Sequence, residues 1–136
     1  MNFKILTSYD ESLKKIIKEA FDIKIENIDI KKCLDNNIRF LCSYIDTKLV
    51  GLVMITKRYD PIKNIYSYYL DYVSVLKEYQ NKGIGTKLIE EVESIARTEK
   101  VSYIEFTSSS KRVYARRMYL NLGYNLKDTG VFIKNL

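Results

Sequence analysis

The spacing of apolar residues changes several times along the chain, and each change marks an element. "NFKIL", at 2–6, puts Phe3, Ile5 and Leu6 in a short strand. From Glu11 to Phe21, the apolar positions Leu13, Ile16, Ile17, Ala20 and Phe21 recur at helical intervals, with Ser8 or Asp10 as the candidate N-terminal cap. Residues 22–37 have no dominant period and leave room for a second short helix. "IRFLCSYI" (38–45), "LVGLVMITKRY" (49–59) and "IYSYYLDYVSVL" (65–76) then read as three strands. The tight turns "DTK" and "YDPIKN" between them predict an antiparallel meander. Beyond it the period lengthens: Ile84, Leu88, Val92, Ile95 and Ala96 form one stripe, predicting an amphipathic helix over 84–98. "VSYIEFT" (101–107) is a further strand, and strand–helix–strand order implies a right-handed crossover and a parallel pair. Residues 111–121 read as a helix with Ala115, Met118, Tyr119 and Leu122 inward and Gly123 closing it. "YNL" and "GVFIKN" predict two short closing strands. With no repeat, low-complexity tract or linker, the pattern describes one domain over 1–136.

Composition changes this picture little, and charge somewhat more. A hydrophobic fraction of 46% is enough for a packed core. The net charge of +6 suits a polyanionic ligand such as a nucleotide-like cofactor, and equally a codon-driven excess of lysine. The basic residues are scattered, whereas a nucleic-acid surface concentrates them, so no nucleic-acid partner is expected. The chain has no histidine. That excludes a Ser-His-Asp triad, a Cys-His pair and any histidine-held metal, and leaves proton transfer to Asp, Glu, Tyr, Lys, Cys or water. Cys33 and Cys42 form neither a disulfide framework nor a zinc pattern, and Cys42 reads as a small core residue. No stretch resembles a signal peptide or approaches ~18 apolar residues. A soluble cytoplasmic protein with no membrane partner is the expectation.

The segment "EYQNKGIGTKLIEEV" (78–92) carries the chemistry. Glycine costs a helix about 1 kcal/mol relative to alanine, yet Gly83 and Gly85 stand where the helix begins. A helix N-terminus offers unpaired N–H groups and partial positive charge, and bare backbone lets phosphate oxygens approach. Lys82, Lys87 and Thr86 would add cations and a hydroxyl. A plain glycine-containing turn is the alternative. The spacing fits neither a Walker loop nor the dinucleotide fingerprint G-x-G-x-x-G.

The wider stretch resembles the acetyl-CoA-binding motif of the GNAT superfamily of N-acetyltransferases, Q/R-x-x-G-x-G/A, with Gln80, Gly83 and Gly85 in place and Val73 and Val75 as the preceding apolar pair. "ARRMYLNLGY" similarly resembles the family's A-x-x-x-Y-x-x-x-G-[FY], through Ala115, Tyr119, Gly123 and Tyr124. The likeness covers nearly the whole chain. It implies an α/β (α+β) GNAT fold: a central mixed, mainly antiparallel sheet of six to seven strands, about four flanking helices, and a splayed parallel strand pair. It implies acetyl-CoA as cosubstrate, no metal, and direct attack of an amine on the thioester. Pyrophosphate would lie on Gln80, Asn81, Lys82, Gly83, Ile84, Gly85 and Thr86. Pantetheine would lie along Val73 and Val75, with an N–H near Val75 polarising the carbonyl. Tyr119 would be the general acid, and Glu105 or Asp71 the base. Tyr68, Tyr69 and Tyr72 are candidates for the acceptor pocket. Arg112 stands where relatives often carry asparagine, so Arg112 or Arg116 is a candidate phosphate contact. The acceptor reads as a small-molecule primary amine. A protein N-terminus or lysine acceptor, and a CoA-binding regulator without turnover, are the other readings. A homodimer is compatible with all three.

Overall fold

The computed structural model describes residues 1–136. Strand β1 (Asn2–Ile5) leads to helices α1 (Leu13–Phe21) and α2 (Ile30–Asp35). The meander follows as β2 (Ile38–Ile45), β3 (Lys48–Asp60) and β4 (Ile65–Val75). A 3-10 turn over Lys77–Tyr79 precedes α3 (Ile84–Thr98), then come β5 (Tyr103–Glu105) and α4 (Val113–Asn121). The strands form one sheet in the order β1-β2-β3-β4-β5, antiparallel except for the parallel β4–β5 pair.

Alternation along the strands divides the core in two. Phe40 and Cys42 of β2 and Leu49 and Leu52 of β3 face α1 and α2, packing on Leu13, Ile16, Ile17 and Ile30. Leu41, Val53, Ile55, Tyr68 and Leu70 face the other way, onto Leu88, Ile89, Val92 and Ala96 of α3 and Tyr119 of α4. Both faces of the meander are covered, so its strands read as nearly unbroken apolar runs rather than strict alternations.

At one end of the sheet an ionic knot ties β2, β4 and the end of α3. Arg39 grips Glu99 with both terminal nitrogens, at 2.9 and 3.0 Å, and donates to Tyr68 Oη at 2.7 Å. Tyr68 Oη also donates to Glu99, and Lys57 Nζ stands 3.4 Å away from the same carboxylate. Burial alone would raise the Glu99 pKa, but these hydrogen bonds and cations overcome it and hold the carboxyl at about 2.

Four sequence expectations need correction. The sheet has five strands, not six or seven. "YNL" and "GVFIKN" form no strand: after Tyr124 no backbone group joins a ladder, and the segment stands off the sheet. The strand expected over 101–107 pairs only at 103–105, because β4 and its partner diverge beyond Glu105. Neither Ser8 nor Asp10 is the cap of α1, whose N-cap is Ser12; Asp10 instead accepts the Ser12 N–H at 2.9 Å and the Tyr44 hydroxyl at 2.8 Å, fixing the turn that precedes the helix.

Candidate active site

The site begins with a fault in β4. Met54 pairs with Asp71 and Leu52 with Ser74, so one residue of β3 opposes two of β4. Tyr72 absorbs the extra residue in the left-handed region, at φ 55°, a conformation a bulky side chain rarely adopts. Its ring packs edge-on against Phe21 at 5.1 Å. This β-bulge switches the faces of the strand. Before it, Tyr68 and Leu70 point at α3; after it, Val73 and Val75 do. It also lies just past the last pairing with β5, Tyr69 to Glu105, so β4 runs on with its outer edge free.

That edge ends in a usable donor. The Leu76 N–H bonds to the Val50 carbonyl at 3.0 Å. Antiparallel pairing alternates, so the N–H and C=O of neighbouring Val75 point away from β3, into the gap that β5 leaves. The Gln80 side-chain amide donates to the Val75 carbonyl at 3.0 Å. Gln80 therefore braces the loop against the strand end.

Between Gln80 and α3 the backbone forms a cradle. Asn81 and Gly83 are both left-handed, at φ 62° and 78°. The N–H groups of Asn81, Lys82, Gly83, Ile84, Gly85 and Thr86 find no acceptor in the protein; the next one, Lys87, bonds to the Gly83 carbonyl at 3.1 Å. No acidic residue stands in the first turn of α3. Successive free N–H groups in such a bend form an anion-binding concavity. The two glycines do different jobs. A Cβ on Gly83 would meet nothing within 4 Å, so the residue is there for its φ, and the space beside it is open. A Cβ on Gly85 would lie 3.2 Å from Met118 Sδ, so that glycine lets α4 close on the helix start. Lys82 sits over the Tyr79 ring, 5.3 Å from its centroid. The cradle thus fits the diphosphate of a CoA-type ligand in both geometry and charge.

A cavity of about 670 Å³ opens beyond the end of β5, and Tyr69, Glu105, Thr107, Arg116 and Tyr119 share its wall. Tyr119 is only 6% exposed, with its ring edge-on to Phe106 at 4.5 Å. Its hydroxyl has no hydrogen-bond partner, yet it is not among the sealed polar atoms that lack one: Tyr9 Oη, Ser43 Oγ, Ser108 Oγ and Arg116 Nε. The hydroxyl therefore opens on the cavity. Burial raises its pKa, and the nearby Arg112 charge opposes the rise, so the phenol is a proton donor at neutral pH.

The two carboxylates have different settings. Glu105 sits in a 3.2 Å ion pair with Arg58 Nη1, and the Arg58 guanidinium lies 4.1 Å over the Tyr69 ring. Asp71 is half-buried on the same face of the sheet, outside the cavity wall, without a hydrogen-bond partner. Burial raises its pKa, and Arg58 pulls it back. Sequence reasoning missed Arg58; only the β3–β4 register brings it into contact with Glu105 and within electrostatic reach of Asp71. Tyr68, a candidate for the acceptor pocket, is instead fully buried on the α3 face and tied into the Glu99 knot. Arg112 is exposed at the head of α4, and Arg116 Nη2 donates to the Ser108 carbonyl at 2.9 Å, holding the loop after β5. No three His, Cys, Asp or Glu side chains are grouped to hold a metal ion, and no helix is long and apolar enough to cross a membrane.

Comparison with known proteins adds to this geometry. Residues 5–124 match the sequence model of the Acetyltransferase (GNAT) family. A search by sequence among curated proteins finds no match. Among solved structures, an aminoglycoside acetyltransferase from an uncultured soil metagenomic sample, solved with trehalose, superposes with a TM-score of 0.82 at 17% identity, over 99% of this chain and 95% of its own. A ribosomal-protein-alanine N-acetyltransferase from Brucella melitensis biovar Abortus 2308 gives 0.81 at 16%, over 100% of both chains. A transcriptional regulator from Bacillus halodurans C-125 gives 0.78 at 15%, over 98% of this chain and 100% of its own. At these identities the structural likeness speaks to the fold.

Proposed function

The chain belongs to the GNAT acetyltransferase family, and on that premise we propose that it transfers an acetyl group from acetyl-CoA to the primary amine of a small molecule, by direct attack within a ternary complex. The observation that carries this reading is the run of free N–H groups from Asn81 to Thr86, beside a strand edge that β5 has left open. Acetyl-CoA supplies an activated thioester and a diphosphate handle. The cradle binds the diphosphate, and the free edge of β4 at Val73 and Val75 holds the extended arm as an added strand would be held. The Val75 N–H is the donor for the carbonyl oxygen, a role typically worth ~3 kcal/mol.

The acceptor must arrive as a neutral amine. Glu105 or Asp71, directly or through water, takes its proton. As the new C–N bond forms and the C–S bond breaks, the Tyr119 phenol delivers a proton to the departing sulfur. Atoms balance with no covalent enzyme intermediate, so neither cysteine is needed. A cavity of about 670 Å³ falls within the usual size of small-ligand sites, which favours a small acceptor over a peptide. The open Tyr119 hydroxyl favours turnover over a purely regulatory CoA site.

Two measurements test the proposal. Acetyl-CoA should raise the melting temperature where NAD and ATP do not, and a panel of amines should include one that releases free thiol from acetyl-CoA. Stabilisation by acetyl-CoA with no thiol release from any amine would favour the regulator. No stabilisation would remove the basis of the proposal.

A further inference from the structure

The free N–H groups of the cradle begin abruptly. In the turn before it the chain is tied at nearly every residue: the Leu76 N–H donates to the Val50 carbonyl at 3.0 Å, the Tyr79 N–H to the Leu76 carbonyl at 2.8 Å and the Gln80 N–H to the Lys77 carbonyl at 3.2 Å. The Lys77 N–H donates to the Glu19 carboxylate, which pins the turn to α1. From Asn81 onward no N–H finds a partner in the protein until Lys87. Gln80 stands on this boundary, and its side chain turns back rather than forward. It reaches five residues upstream, and Nε2 donates to the Val75 carbonyl at 3.0 Å.

Val75 needs such a tie. It is the last residue of β4, it pairs with Gly51 on one side, and no strand lies along its other edge. A strand end with an open edge frays. The peptide after Val75 is held at both ends, by Val50 through the Leu76 N–H and by Gln80 through the Val75 carbonyl. The Val75 side chain meets the start of α3, where a Cβ on Gly85 would lie 3.8 Å from its Cγ2. Strand end, turn, cradle and helix start thus close into one ring. The Val75 carbonyl is taken, so an extended arm lying along this edge finds its last partner in the Val75 N–H.

We propose that Gln80 is a positioning residue: its amide holds the Val75 peptide so that the Val75 N–H meets the thioester oxygen at a fixed distance from the diphosphate. This role rests on the acetyl-transfer reading and deepens it. Gln80 needs no contact with the reacting atoms and acts through Val75. Without the tie the cradle still offers its free N–H groups, so the cosubstrate binds, but the donor at the strand end wanders. A displacement of about 1 Å in a reacting arrangement can cost about a hundredfold in rate.

Gln80→Leu removes the donor at an exposed position, so the fold does not depend on it. In this variant kcat for thiol release should fall at least about tenfold, while the Kd for CoA, which has the diphosphate but no acyl group, should stay within about threefold. Acetyl-CoA labelled with carbon-13 at its carbonyl gives a readout that a loosened loop alone would not move. The C=O stretch of the bound thioester should lie below its free value in the parent and return toward that value in Gln80→Leu. Gln80→Arg, which keeps N–H donors, should recover most of the loss in both. Equal stretch and turnover in the parent and Gln80→Leu would overturn the proposal, as would an equal loss in Gln80→Arg or a matching loss of CoA affinity. Deuterium exchange in the free protein supplies a measurement without ligand. The Leu76 amide should exchange at least about tenfold faster in Gln80→Leu, while the amides of β2 keep their rates. An unchanged Leu76 rate would overturn the role of Gln80 alone, whereas a parent that bound no acetyl-CoA would overturn the acetyl-transfer reading and this role with it.

Discussion

Replacing Tyr119 with phenylalanine removes one oxygen and isolates its chemistry. The structure bounds the side effects. The hydroxyl has no protein partner, so its loss forfeits none of the ~0.5–1.5 kcal/mol of an intramolecular hydrogen bond. The ring keeps its edge-on contacts with Phe106 at 4.5 Å and Tyr124 at 6.5 Å. Folding stability should stay within about 0.5 kcal/mol of the parent, and affinity for acetyl-CoA within about twofold, because neither depends on that oxygen. Proton transfer to a leaving group typically contributes ~10²–10⁴ in rate. Turnover should therefore drop at least about a hundredfold, which is about 2.7 kcal/mol of barrier. The pH dependence has a definite sign. Burial raises the phenol's pKa, so the donor form persists below that value and is lost only above it; the parent should show no loss of acid catalysis below about pH 10. The assay is thiol release from acetyl-CoA in a Cys33→Ser background. Burial pushes the Cys42 thiol up to about 12, so it adds no signal. A folded Tyr119→Phe protein that turned over within twofold of the parent would refute the assignment.

Gly83→Val should lower the melting temperature by about 3–6 °C, because a β-branched residue at φ 78° costs ~1–2 kcal/mol, and should weaken acetyl-CoA binding at least about tenfold. Calorimetry of Gly85→Ala supplies the contrast: only the mobile tip of Met118 opposes its Cβ, so binding should be unchanged, and equal losses in both variants would contradict the division of labour. Glu99 gives an acid-stability prediction. Its folded pKa of about 2 lies below the usual 4.5, so its stabilisation is complete above about pH 5, disappears as pH falls toward 2, and is on the order of 3 kcal/mol. Urea unfolding of Glu99→Gln should show a flatter pH dependence over that window, and an unchanged slope would count against the knot. Ser43→Ala should stabilise by roughly 1 kcal/mol, since Ser43 Oγ is sealed without a partner. Gly51→Ala, whose Cβ would collide with that oxygen, should be destabilising alone and less so in the Ser43→Ala background.

Where a single period governed a segment, its element was legible in the sequence. The stripe of Ile84, Leu88 and Val92 became α3 with its bounds intact, and the three meander strands paired as read. The G-x-G turn was legible too, but its two glycines serve different needs, and a pattern cannot separate a required φ from a required closeness. The β4 bulge was hidden because Asp71 and Tyr72 sit inside an otherwise regular strand-like run. Arg58 was hidden because its role depends on pairing across a hairpin. The closing strands failed for a different reason. "GVFIKN" has strand chemistry, but a strand is made by pairing, and none of its backbone groups joins the sheet.

The face switch at Tyr72 leaves β4 out of phase with itself. Sliding the strand by one residue along β3 would turn either its first half or its second toward the wrong core, and no single slip suits both. Deleting Tyr72 is a different change: it would set Val73 opposite Val53, restore one-to-one pairing and leave Leu70, Val73 and Val75 on the α3 face, so its effect should fall on the course of β4 past β5 rather than on either core. The same lock sets how far the strand's last amide lies from the start of α3, a spacing held by counting residues rather than by any one side chain.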